Sequence, residues 1–173
     1  NKNYNFEKIK KKLEEFNKLK VLIIGEAIID EYVFCDALGK SGKEPVLALR
    51  EMKSERYLGG SLAIAQNISE FCDKVKVLTM IGEKKNYYKE IRNKLNKNIK
   101  LELINKKDSP TIVKKRFIDY ISYNKVLGVY NINDDPLTDL DEKKFIKILL
   151  KNIAKYDLVI VSDYGHGLIS KKA

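Results

Sequence analysis

Two acidic residues in this sequence follow apolar runs in a way that suits a hydroxyl-rich ligand. Asp30 comes just after Val21-Leu22-Ile23-Ile24 and the pair Ile28-Ile29, and Asp163 comes after Leu158-Val159-Ile160-Val161. A carboxylate beyond a buried strand faces the ligand crevice of an open α/β sheet, where it can accept two hydroxyl hydrogen bonds. Taken singly, each also fits a turn or a helix cap; two at two strand ends favour a polyol-type ligand. Gly59-Gly60 stands where an extended segment turns into a helix. The pair serves either as permissive backbone at a helix start or as a close approach to a ligand at a helix N-terminus. Lys114 and Arg116 share one face of a strand, with Lys115 opposite. Two cations on one face suit a phosphate or carboxylate, and equally an exposed edge strand kept soluble by charge.

Other motifs carry less. Gly39-Lys40-Ser41 looks like the end of a phosphate-binding loop, but Phe34 stands where the first glycine of that loop belongs, and no helix follows directly. No G-x-G-x-x-G follows a strand, so a nicotinamide site is unsupported. His166 is the one histidine and reads as a loop hydrogen-bonding residue. Cys35 and Cys72 read as reduced thiols. One His and two Cys leave few soft ligands for zinc.

The elements that must position these residues alternate strand and helix. Phe6, Ile9, Leu13 and Phe16 fall at helical spacing in an amphipathic leader. Val21 to Ile24, Val75 to Ile81 and Leu158 to Val161 are short uninterrupted apolar runs, as in strands buried on both faces of a parallel sheet. Ile99 to Ile104 is a further strand. The spacing predicts helices over 60–72 (Leu62, Ala65, Ile68, Ser69 and Cys72 inward), 87–95 (Tyr88, Ile91 and Leu95 on one face) and 140–156 (Phe145, Ile148, Leu149, Asn152 and Ile153 inward). The order implies an α/β fold with a right-handed, mainly parallel sheet. Residues 31–57 and 111–132 interrupt it with strand-like runs and no helix between them, and are expected to pair as a small antiparallel accessory sheet.

Composition bounds the rest. Of 173 residues, 44% are hydrophobic and 34% charged, with nine Gly and three Pro, which excludes a disordered chain. The formal charge of +10 comes from lysines scattered through stretches such as 93–100. It reads as solvated helix faces more readily than as a nucleic-acid surface. No apolar run approaches a membrane span, and the expected setting is the cytoplasm. The chain starts at Asn1 and stops at Ala173, just after a loop, so it is expected to be a piece of a longer polypeptide.

Taken together, the motifs resemble the ribokinase-like (PfkB) carbohydrate kinases, most of all the kinase domain of bifunctional heptose-phosphate kinase/nucleotidyltransferases. Val21 to Glu26 and Ile29-Asp30-Glu31-Tyr32 look like that family's opening strand and substrate Asp; Ser41 to Val46 and Thr111 to Arg116 resemble its lid segments. Gly59-Gly60-Ser61 to Asn67 looks like its Gly-Gly helix start, and Ser162 to Gly167 its Ser-Asp-Tyr-x-Lys-Gly loop. The sequence departs at Ala63, where the family has a sugar-holding Asn, and at His166, where near relatives have Lys.

The resemblance implies ATP-dependent phosphorylation of a sugar or sugar phosphate, with Mg2+ accompanying ATP. Asp30, Gly59, Gly60 and Asp163 would hold the sugar, Lys114 and Arg116 a phosphate already on it, and the accessory sheet would close as a lid. The family's Gly-Ala-Gly-Asp segment, with the catalytic base and much of the ATP site, is expected beyond Ala173. The isolated chain is therefore expected to be inactive, with no catalytic residue of its own. Residues 1–19 would be a leader or a linker from an upstream nucleotidyltransferase domain, and 20–173 the N-terminal part of a sugar-kinase domain. The competing expectation is a non-catalytic module that assembles through the lid sheet, for instance as a homodimer, or a basic nucleic-acid-binding domain.

Overall fold

The computed structural model describes residues 5–172, so the first four residues of the leader segment, Asn1 included, and Ala173 lie outside the described residues. The chain forms helix α1 (Phe6–Phe16), strands β1 (Lys20–Gly25), β2 (Ala27–Lys40) and β3 (Leu47–Gly60), and helix α2 (Ser61–Ser69). Strand β4 (Lys74–Lys84), helix α3 (Tyr88–Lys94) and strands β5 (Ile99–Pro110), β6 (Ile112–Asp119) and β7 (Lys125–Asn131) follow, then helix α4 (Asp139–Ile153) and strand β8 (Leu158–Ser162).

The central sheet has the order β5-β4-β1-β8, and every pairing in it is parallel. Its strands are apolar because both faces are covered. On β1, Val21 and Ile23 pack with Leu62 and Ala65 of α2 and Ile91 of α3, whereas Leu22 and Ile24 pack with Phe145 and Leu149 of α4. Period-two alternation thus feeds two cores from one strand. Each buried aliphatic side chain contributes about 1.5–3 kcal/mol, so these two clusters hold the domain together. Helix α4 is well started: Thr138 accepts the N–H of Asp141 at 3.2 Å and donates its hydroxyl to that residue's carboxylate at 2.9 Å. Asn152, polar on the buried side of α4, accepts from Lys76 at 2.8 Å and donates to Glu102 at 3.3 Å, while Lys76 and Glu102 form an ion pair beneath it.

The second sheet has the order β3-β2-β6-β7. The β2–β3 and β6–β7 hairpins are antiparallel, but β2 and β6 run parallel, so the sheet is mixed where an antiparallel one was expected. The reason is connectivity. β2 leaves the carboxyl end of β1 and β6 leaves that of β5, both strands of a parallel sheet, so the two outgoing strands point the same way. Two other expectations shift. Tyr88 is exposed, and Tyr87 packs on the core in its place. Ile153 is also exposed, while Phe145 and Leu149 carry the buried face of α4. α1 keeps its apolar stripe but buries none of it.

Candidate functional site

Glu26 lies between β1 and β2, where the chain passes from the central to the second sheet, and its side chain is fully buried. Its carboxylate accepts the backbone N–H of Tyr164 at 2.9 Å and of His166 at 3.2 Å. Its carbonyl accepts the N–H and the hydroxyl of Ser61, each at 3.0 Å. One residue therefore ties together the end of β1, the start of α2 and the loop after β8. A buried carboxyl group is tolerated where hydrogen bonds answer it, and these fix the loop that carries Asp163.

Asp30 is not at the strand end itself, as the sequence suggested, but inside β2, opposite Tyr57 of β3 and Lys114 of β6. Glu26 occupies the strand-end position instead. A Cβ on Gly59 would collide with the Asp30 carboxylate, so only glycine lets the acid lie across β3 at this point. Gly60 has φ +58 and ψ −138, a conformation that disfavours L side chains, and it turns β3 into α2. Ala63, at the position of the expected Asn, is half-buried on α2.

Strand alternation sorts the charges of the second sheet onto two faces. Arg116 donates to Asp30 at 2.5 Å, and its guanidinium lies 5.6 Å from the Tyr32 ring and 5.7 Å from the Tyr130 ring. Burial, the largest single influence, would lower the Arg116 pKa, but the hydrogen bond to Asp30 and the attraction of Asp30, Tyr32 and Tyr130 together outweigh it, and the group is held further in its charged form. Lys114, on the same face, places its ammonium 5.9 Å from the Tyr164 ring, next to Asp163. The opposite face carries Glu31, which binds Lys115 at 2.9 Å and Arg56 at 3.0 Å.

Asp163 follows Ser162, whose partner in the sheet is Gly25, so it emerges beside Glu26. Its carboxylate accepts the N–H of Gly165 at 2.9 Å within its own loop. Asp30, Gly59, Lys114 and Arg116 thus form one contiguous group, Lys114 reaches the loop of Asp163, and Gly60 joins them through Glu26. His166 is buried, with Nδ1 at 2.6 Å from Asp134, a geometry in which Nδ1–H donates to the carboxylate. Buried Lys106 donates to the carbonyls of Asn133 at 2.6 Å and His166 at 3.0 Å. Burial pushes its pKa down against the attraction of Asp135, Asp134 and Glu26. Neither Glu26 nor Lys106 was expected as a site residue. For Glu26 the signal was present, a single acid interrupting the apolar stretch 21–29.

No three His, Cys, Asp or Glu side chains gather as a metal set among the described residues. Gly39 and Lys40 are the exposed end of β2 and Ser41 follows it into the hairpin, so the run is not a loop leading into a helix.

The architecture is the ribokinase-like (PfkB) sugar-kinase fold. Phosphofructokinase-2 from Escherichia coli, solved with fructose-6-phosphate, superposes with a TM-score of 0.63 at 12% identity, over 85% of this chain and 47% of that one. A carbohydrate kinase from Agrobacterium tumefaciens gives 0.53 at 15% identity, over 83% and 45%. The more particular relationship is in sequence: the chain is homologous to part of the bifunctional protein HldE, in its kinase domain. It is 33% identical to HldE of Aliarcobacter butzleri over 160 residues, covering 90% of this chain and 32% of that protein. With HldE of Nitratiruptor the figures are 29% over 157 residues, 90% and 33%. The D-beta-D-heptose 7-phosphate kinase of Bordetella bronchiseptica is 23% identical, over 91% of this chain and 49% of its own length. The chain spans about a third of the length of the HldE relatives. No family model matches it.

Proposed function

We propose that this chain supplies the sugar-binding part of an ATP-dependent carbohydrate kinase acting on a sugar phosphate, with a heptose phosphate as the leading substrate class. The observation that supports this most is the grouping of Asp30, Gly59, Lys114 and Arg116 on one face of the second sheet, with Lys114 against the loop of Asp163. In this reading the Asp30 carboxylate accepts sugar hydroxyls, and Gly59 leaves room for it to do so. Gly60 shapes the start of α2, Asp163 contributes a second acceptor, and Lys114 with Arg116 meets the phosphate. The second sheet, β2, β3, β6 and β7 with its loops, acts as a lid that excludes water from the transfer. ATP and Mg2+ would be held by other residues of the whole protein. Such an enzyme works in the cytoplasm, and no described helix is long and apolar enough to cross a membrane.

Calorimetric titration of the full-length protein with heptose 7-phosphate and fructose 6-phosphate tests the assignment. Asp30→Asn is expected to keep the fold and weaken the better ligand about tenfold or more, the size of a lost charge-assisted bond. Unchanged affinity would remove Asp30 from the site.

A second role for the same sheet is favoured by β7, which is exposed at all seven residues, with Leu127 and Val129 on the face opposite Arg116. A homodimer through this face would cover them. Sedimentation should then show Val129→Lys shifting the protein towards monomer; a monomeric wild type would end the idea.

A further inference from the structure

In the reading above, Asp30 and Arg116 serve different parts of one ligand, yet in the structure they hold each other. Arg116 Nη1 donates to Asp30 Oδ1, and the other carboxylate oxygen lies against Gly59. The guanidinium is flanked by Tyr32 from β2 and Tyr130 from β7, and both charged side chains are about four-fifths buried, at 20% and 23% exposure. A cation between two ring faces and a carboxylate is well satisfied where it is.

We infer that the Asp30–Arg116 pair is a latch that makes the site selective for phosphorylated sugars, with Arg116 releasing Asp30 only when a phosphate takes up the guanidinium. The inference rests on the sugar-kinase reading. A bare sugar offers neutral hydroxyls. To reach Asp30 it must break a charge-assisted bond and leave Arg116 without a counter-charge in a partly buried position. A sugar phosphate gives Arg116 a replacement anion whose geometry suits the planar fork. Lys114 makes no ion pair among the described residues and stands two residues away on the same face, ready to add a second cation. Arg116 therefore acts twice, attracting the phosphorylated ligand and obstructing the unphosphorylated one. Discrimination by obstruction is as effective as discrimination by contact.

The test is titration of the full-length protein with heptose 7-phosphate, with the same heptose lacking its phosphate, and with inorganic phosphate. Arg116→Ala is expected to bind the sugar phosphate at least about tenfold more weakly, and bare heptose about threefold to tenfold more tightly, than the wild type. Inorganic phosphate should strengthen bare-heptose binding to the wild type and not to Arg116→Ala, because the two ligands are linked through one arginine. Asp30→Asn should raise the affinity for inorganic phosphate by freeing the guanidinium. If Arg116→Ala weakens the sugar phosphate but leaves bare heptose unchanged or weaker, Arg116 is a phosphate contact only and the latch is overturned, while the kinase reading stands. A wild type that binds neither heptose 7-phosphate nor fructose 6-phosphate overturns the reading, and the latch with it. Should Arg116→Ala fail to fold, inorganic phosphate binding to Asp30→Asn decides, and unchanged affinity there overturns the latch.

Discussion

The two sheets are built on different physics. In the central sheet β1 is buried at five consecutive residues from Val21, and its neighbours are apolar on both faces. In the second sheet β7 is exposed throughout, and the pairings are decorated with ion pairs and ring contacts: Asp30–Arg116, Glu31 with Arg56 and Lys115, and Tyr32 edge-on to Tyr57. Burial is non-directional and adds up to a single cooperative core. Ion pairs at a surface are directional, screened and individually weak. The inner ends of β2 and β6 share in both apolar clusters through Ala27, Ile28, Ile29, Ile112 and Val113, so it is the outer part of the second sheet that is held in the second way and opens at lower cost than the core.

That contrast can be broken in four places. The largest effect belongs to the core: Leu22→Ala, at a fully buried position, should cost about 2–5 kcal/mol in urea unfolding. A loss below about 1 kcal/mol would mean that the central sheet is not the stabilising unit. Next comes the joint between the sheets. Glu26→Gln turns one oxygen that accepts the N–H of Tyr164 or His166 into a donor, and should cost about 1–3 kcal/mol. Hydrogen exchange of the 163–167 amides should rise beyond that global change; uniform acceleration would make Glu26 merely one more core residue.

The third effect is electrostatic. Burial would raise the Glu31 pKa, but hydrogen bonds from Lys115 and Arg56 outweigh it and leave the carboxyl below its ordinary value. A folded pKa below the unfolded one gives stability that is complete above the unfolded value, about 4.3, and is lost as pH falls through the folded value. Both cations are more than a third exposed, so each pair contributes less than about 1 kcal/mol. Circular dichroism of urea unfolding between pH 7 and pH 3 should show part of the acid loss missing in Glu31→Gln, and identical slopes would cancel the assignment. The smallest effect is at the rim: Leu127→Thr on β7 should change monomer stability by no more than about 0.5 kcal/mol. A larger loss would show that β7 is covered within the chain itself.

The same contrast decides how much could be read from the sequence. Runs such as Val21 to Ile24 and Leu158 to Val161 are legible because double burial leaves no polar residue to interrupt them. The parallel pairing of β2 with β6 was not legible. It joins residues such as Asp30 and Lys114 that are distant in sequence, and local pattern says nothing about which strand lies beside which. The Asp30–Arg116 contact follows from that pairing and was hidden with it. Alternation did place Lys114 and Arg116 on one face, because a period of two survives whatever the partner is. Tyr88 was assigned to the wrong face because a seven-residue helix offers too few turns to separate it from its neighbour Tyr87.

The passage from one sheet to the other has a mechanical side. β2 runs for fourteen residues from its junction at Glu26, which at about 3.3 Å per residue is an arm of up to roughly 45 Å, shortened by its bulges. The root of the arm is clamped by hydrogen bonds to α2 and to the loop after β8, and the far end, at Lys40, is exposed to solvent and paired only with Leu47 of β3. On such a lever a rotation of about 5° at the root sweeps the tip through roughly 4 Å, more than the diameter of a water molecule. A displacement too small to disturb any packed side chain near Ile28 would still be wide enough at the tip to admit or expel solvent.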